Sequence, residues 1–281
     1  MPNSSVITFS CPDRPGIVHA VSGAIVALDG NITESQQYSS PDTGTFFMRV
    51  EVESEAPQAK LETSLAAVAA RFGATFDVDV VGRRVPTLIL ASTASHCLEA
   101  LLSHARTGSA PITVPLVLAN HPDLAPLAAF YGVPFEHHAV TPETKPAFEA
   151  RLRAVVEEQG IELVVLARYM QILSPELCEF LAGRAINIHH SFLPGFKGAN
   201  PYRQAHARGV KLIGATAHFV TADLDEGPII EQDVIRVDHT FAPQQLAEAG
   251  RDVEAQVLAR AVTWHAEHRV LLNGNRTVTL H

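Results

Sequence analysis

Between Ala185 and Gln232 the side chains able to do chemistry fall close together. Asn187 and His189 stand two apart in the strand-like run Ala185-Ile-Asn-Ile-His189, and residues two apart in a strand point to one face. A carboxamide donor beside an imidazole can hold a carbonyl oxygen while it becomes an oxyanion and can manage the proton involved. Gly214-Ala-Thr-Ala-His-Phe-Val220 is a second strand-like run, and Asp223-Leu-Asp-Glu-Gly-Pro228 after it is an acidic turn. A carboxylate carried from that turn to His189 would fix the imidazole's tautomer and raise its basicity. His137-His138 has neither a His-x-x-x-His spacing nor a nearby cysteine pair, so no metal site is read there.

These residues need a scaffold, and the pattern from Thr87 onward supplies one. Thr87–Ala91, Ile112–Ala119 and Ile161–Ala167 are nearly continuous apolar runs, as in parallel strands buried on both faces. Helical patterns separate them, with Leu98, Leu101 and Leu102 in one and Phe148, Leu152 and Val155 in another. Val133-Pro-Phe135 is a shorter strand candidate between those helices. The repeated order predicts a doubly wound sheet that takes its ligands at the strands' carboxyl ends. The turn after the first run, Ala91-Ser-Thr-Ala-Ser-His-Cys97, lacks the glycines of a dinucleotide or Walker loop, and no Gly-x-Ser-x-Gly elbow occurs. Asn273-Gly274 between apolar runs reads as a hairpin turn.

Residues 4 to 81 have a different grammar. Val6–Ser10, Asn31–Tyr38, Gly44–Val52 and Thr75–Val81 read as strands. Ile17, Val21, Ala24, Ile25 and Leu28 mark one amphipathic helix, and Leu61, Leu65, Val68 and Phe72 another. The order βαββαβ is the ferredoxin-like split unit. Gly82-Arg-Arg-Val-Pro86 is the boundary, giving domains 1–82 and 83–281.

The composition fits this reading. The 281 residues are 47% apolar and 18% charged, with 21 Lys and Arg against 30 Asp and Glu. An acidic chain of this kind is not a general nucleic-acid binder. No run reaches the ~20 apolar residues of a membrane span, and no signal segment is seen at Met1-Pro-Asn-Ser-Ser. Three scattered cysteines suit a reducing compartment. The expectation is a cytoplasmic protein with no nucleic-acid or membrane partner.

Asn187-Ile-His189, Ser191-x-Leu-Pro194, Phe196-Lys-Gly198, His218-Phe-Val220 and Asp225-x-Gly227-x-Ile229-Ile230 together resemble the formyltetrahydrofolate-dependent formyltransferase family. Asp13-Arg-Pro-Gly16, entering a helix after the first strand, looks like the opening of an ACT domain. The whole chain is similar to the hydrolytic, deformylase branch of the family, which places an ACT domain ahead of a Rossmann-like formyltransferase domain. Ile213-Gly-Ala-Thr-Ala-His218, Leu224-Asp-Glu-Gly-Pro-Ile-Ile230, Arg251-Asp-Val-Glu254 and Gly274-Asn-Arg-Thr277 agree with that branch.

The resemblance implies hydrolysis of 10-formyltetrahydrofolate to formate and tetrahydrofolate, balancing one-carbon folate pools in purine biosynthesis. It makes Asn187, His189 and Asp225 catalytic. It places the folate against Met170, Gln171, Ile172 and Leu173 and against Thr221, Ala222, Asp223 and Leu224, with His218 nearby. No cofactor and no metal is implied, the folate being substrate. At the first domain, Asp13 and Gly16 would bind an amino-acid effector; the alternative is a ligand-free oligomerisation module. Either way a homo-oligomer is expected. A transferase acting on an amine remains the other reading of the chemistry. Ser92-Thr-Ala-Ser-His96, standing where a phosphate loop would be, favours water.

Overall fold

The computed structural model describes residues 3–195 and 201–281. It divides into two compact units, residues 1–83 with 267–281 and residues 84–266.

The first unit runs β1 (Asn3–Pro12), α1 (Ile17–Val26), β2 (Asn31–Ser40), β3 (Thr45–Ser54), α2 (Gln58–Phe72) and β4 (Thr75–Val80). Its antiparallel sheet has the order β2-β3-β1-β4, the arrangement expected of a βαββαβ chain. Ile17, Val21 and Ile25 of α1 and Leu61, Leu65 and Phe72 of α2 meet Ile7, Phe9, Met48 and Val50 of the sheet in one core. Gly16 opens α1 with φ at +95°, a conformation available to glycine at little cost.

The second unit begins with β5 (Val85–Ala91), α3 (His96–Thr107), β6 (Ile112–Ala119), α4 (Ala125–Phe130), β7 (Phe135–His137), α5 (Lys145–Glu158) and β8 (Leu163–Ala167). It continues through α6 (Pro175–Phe180), β9 (Ala185–His189), α7 (Pro201–Arg208), β10 (Leu212–Phe219), β11 (Ile229–Arg236) and α8 (Pro243–Ala266). Seven strands form one mixed sheet, β11-β10-β9-β8-β5-β6-β7. β5 to β9 pair in parallel, whereas β10 and β11 are antiparallel additions. Every residue of β8 is buried, which accounts for its unbroken apolar run. The strand order reverses between β5 and β8, and ligands of such sheets bind outside the carboxyl ends at that point.

One helix and the unit to which a hairpin belongs were not read from the sequence. The 24-residue helix α8 carries buried Leu246, Val253, Val257, Leu258 and Val262 among many polar residues, so its apolar stripe is diluted. The hairpin of β12 (Val270–Asn273) and β13 (Arg276–Thr279) forms as Asn273-Gly274 foretold, but it belongs to the first unit rather than to a domain running from 83 to 281. Its attachments are polar. Asn273 Nδ2 donates to Ser40 Oγ and Arg269 pairs with Glu34. Buried Arg49 donates to the Glu267 carbonyl at 3.0 Å. Local hydrophobic patterning reports the hairpin and carries no signal of which unit it joins.

Candidate active site

The site is assembled on β9, β10 and the turns that follow strand ends. In the antiparallel pairing of β9 with β10, Asn187 faces His218 and His189 faces Thr216. A bulge between Ala217 and His218 interrupts the pairing with β11, re-aiming the strand where His218 emerges. The acidic turn then returns over the end of β10, where Phe219 N–H donates to the Pro228 carbonyl at 2.9 Å. Gly227 makes this approach possible, because a Cβ there would lie 1.7 Å from the Phe219 carbonyl oxygen. Asp225, at φ +58°, takes the left-handed conformation that aspartate tolerates better than most residues.

Asp225 thereby reaches both histidines. Its Oδ2 lies 3.3 Å from His189 Nδ1, and its Oδ1 lies 3.7 Å from His218 Nε2. Hydrogen bonding from His189, together with the nearby His218 ring, outweighs burial and holds the Asp225 carboxyl well below the usual range. His218 Nδ1 stands 2.8 Å from the Phe219 carbonyl oxygen, so that nitrogen carries a hydrogen. Its Nε2 is left to accept from the Asn187 amide nitrogen at 3.2 Å. One N–H of Asn187 is thus spent on orientation, and the other remains for a ligand. His189 Nε2 is buried and has no partner.

These groups open into a cleft of about 630 Å³ at the carboxyl ends of the parallel strands. All twelve residues assigned to catalysis or folate binding line it: Met170 to Leu173, Asn187, His189, His218 and Thr221 to Asp225. Leu173 is largely buried, whereas Met170, Ile172 and Leu224 expose 58%, 62% and 60% of their surface. Large apolar side chains so exposed around a polar centre mark a binding surface rather than a core. Thr221 Oγ1 donates to the Asp223 carbonyl oxygen at 2.9 Å, fixing one rim. Ser92 fixes the other: its hydroxyl donates to Asn120 Oδ1 at 2.6 Å and accepts from Met170 N–H at 3.0 Å. The motif Phe196-Lys197-Gly198 lies outside the described residues. Asp13 and Gly16 are exposed in the β1–α1 loop of the other unit.

Sequence reasoning missed the far wall of the cleft. Glu254, on α8 and 1% exposed, accepts from Tyr202 at 2.6 Å and His96 at 2.8 Å, and pairs with Arg168 Nε at 3.3 Å. Burial would raise its carboxyl, but the bond to His96, the Arg168 charge and the bond to Tyr202 hold it below the ordinary value. The same surroundings push the Cys97 thiol well up through burial and the Glu254 charge. His96, Cys97 and Glu254 bring donor atoms within 4.8 Å of one another. Glu254 is committed to its three partners, which makes the cluster an ion-pair network. Gly250 admits the tyrosine, since a Cβ there would stand 2.0 Å from the Tyr202 hydroxyl. His190 connects this wall to the catalytic side, its ring 5.1 Å from that of His189 and 6.3 Å from that of Tyr202. Burial, then Arg168, lowers its pKa to about 4.

A mixed seven-stranded sheet with an Asn–His–Asp centre at the carboxyl end of β9, in a chain that also carries a ferredoxin-like unit, defines a formyltransferase-type domain joined to an ACT domain. Residues 85–262 match the Formyl transferase family and residues 5–70 the ACT domain family. Formyltetrahydrofolate deformylase of Corynebacterium sp. strain P-1 is 49% identical over 98% of this chain and 97% of its own. A crystal structure of the same enzyme from Burkholderia mallei matches with a TM-score of 0.96, at 49% identity and complete coverage of both chains. Glycinamide ribonucleotide transformylase 1 of Symbiobacterium toebii matches 72% of this chain and 97% of its own, with a TM-score of 0.66 and 32% identity. The chain belongs to the formyltetrahydrofolate deformylase family.

Proposed function

We propose that this chain hydrolyses 10-formyltetrahydrofolate to formate and tetrahydrofolate, supplying formate and balancing the folate pools that serve purine biosynthesis. The observation that carries the reading is the buried, unpartnered Nε2 of His189 beside the spare N–H of Asn187, in a cleft rimmed by exposed Met170, Ile172 and Leu224. The apolar rim takes the flat pteridine. The formyl oxygen accepts from Asn187 and from protonated His189, whose charge Asp225 supports. A water oxygen bonds to the formyl carbon as the carbon–N10 bond breaks. One proton of that water passes by way of Asp225 to N10, and formate leaves with the water's oxygen. Hydrogen-bond donors placed at a developing oxyanion each contribute about 3 to 4 kcal/mol to lowering such a barrier.

The folate is substrate and no cofactor enters this scheme. The first unit would sense an amino acid at the loop of Asp13 and Gly16, and its exposed edge strand β2 would pair copies into a homo-oligomer. No described helix is long and apolar enough to cross a membrane. Cys11, Cys97 and Cys178 are free and buried, which suits a cytoplasmic setting. The test is formate release from 10-formyltetrahydrofolate with water as the sole acceptor, with and without a panel of amino acids. Formate and tetrahydrofolate should form in equal amounts. Absence of formate from folded protein in every condition would overturn the reading.

A further inference from the structure

Arg168 follows β8 in a conformation that its side chain does not favour. Its φ is +60°, the left-handed region that long side chains enter only under compulsion and that clusters at functional sites. The compulsion has a visible source. Nε faces Oε2 of buried Glu254 at 3.3 Å, and Glu254 is held in turn by His96 and Tyr202. Gly250 leaves the space that Tyr202 needs. Three residues and one glycine thus serve to aim a single guanidinium.

Among the described residues the rest of that guanidinium is given no hydrogen bond. The buried Arg168 Nε has no hydrogen-bond partner, and among the described residues Glu254 is the only ion-pair partner of this guanidinium. Its side chain lines the same cleft as Asn187, His189 and His190. It also acts on His190, whose ring adjoins His189, as the largest influence after burial. The exposed apolar residues Met170, Ile172 and Leu224 belong to the folate side. The polar wall of His96, Arg168, Tyr202 and Glu254 is the part of the cleft left for the other reactant.

The chemistry of this wall is selective. Each Glu254 oxygen already has a partner, so a protonated or neutral amine finds no free carboxylate to donate to. An arginine with idle N–H groups instead favours oxygen ligands, above all a carboxylate met by two parallel bonds. We propose that Arg168 forms a site for the small oxygen ligands of the reaction: the attacking water and then the formate produced from it. This inference rests on the hydrolytic reading above. It assigns to one residue the preference for water, and it makes formate a ligand of the resting enzyme at the acceptor side of the cleft.

The test is inhibition by sodium formate of the hydrolysis of 10-formyltetrahydrofolate, measured for the wild type, Arg168→Gly and Arg168→Lys. Glycine suits the left-handed backbone, so the first variant removes the guanidinium without straining β8; circular dichroism and the melting temperature verify folding. In Arg168→Gly the inhibition constant for formate should rise at least tenfold while KM for the folate stays within twofold. In Arg168→Lys part of the formate affinity should return, because the charge is kept and the fork is lost. Hydrolysis by folded Arg168→Gly with an unchanged formate constant would overturn the proposal and leave the hydrolytic reading standing. A wild type that releases no formate would instead overturn the reading on which the proposal rests.

Discussion

Replacing Asp225 by asparagine removes one charge and almost no volume. The carboxylate lies 3.3 Å from His189 Nδ1 with 13% of its side chain exposed. With an effective dielectric of ~20, a full charge pair at that separation is worth about 5 kcal/mol. If half of the imidazolium charge is realised in the transition state, the loss is about 2.5 kcal/mol, so kcat should fall between ~70-fold and ~5000-fold. The folate rim of Met170, Ile172 and Leu224 is untouched, so KM should change by less than threefold. The assay is stopped-flow or coupled measurement of tetrahydrofolate formation at pH 7, with folding verified by circular dichroism. A folded Asp225→Asn protein within fivefold of the wild-type kcat would refute the reasoning, because Asp225 would then be a dispensable neighbour of His189.

The same carboxylate sets a pH dependence of stability. Its folded pKa is depressed, so its contribution is present above the unfolded value of ~3.9 and fades as pH falls toward the folded one; the gap in urea midpoint between wild type and Asp225→Asn should therefore shrink from pH 7 to pH 3, and a constant gap would count against it. Ser92→Ala strips the Met170 N–H of its acceptor, a loss of about 1 to 2 kcal/mol, and should appear as a ~5- to ~30-fold rise in KM with kcat nearly kept. Gly227→Ala drives a Cβ into the Phe219 carbonyl, and overpacking of about 3 kcal/mol should lower the melting temperature by ~6–12 °C for a unit of this size. An unchanged melting temperature would mean that the turn carrying Asp225 does not cross β10 so closely.

Much of the catalytic side was legible because it follows short-range rules. A period of two places Asn187 and His189 together, and three apolar runs announce a buried parallel sheet. Asp225 is less local: the turn was visible, but its choice over Asp223 came from the motif and not from spacing. The task of His218 was hidden, since it depends on the β9–β10 register and on a bulge that no pattern of polar residues predicts. Arg168, Tyr202 and Glu254 were hidden for a stronger reason. They come from the turn after β8, from α7 and from α8, and only the folded sheet brings them to one wall. In α8 the polar Glu254 and Gly250 interrupt the apolar stripe, so the residues that matter most there also disguise the helix.

The return of the last fifteen residues to the first unit separates the order of synthesis from the order of completion. A nascent chain can form β1 to β4 early, as domains generally do while the ribosome proceeds. The early unit still lacks the Glu267 carbonyl that receives Arg49, the Arg269 that meets Glu34 and the Asn273 that meets Ser40. Residues 84–266 are translated in full before those partners emerge. A truncation or tag at the carboxyl terminus is therefore a perturbation of the amino-terminal unit, although more than 180 residues intervene in sequence. The chain's two ends are a single structural locus, and the catalytic unit is an insertion within it.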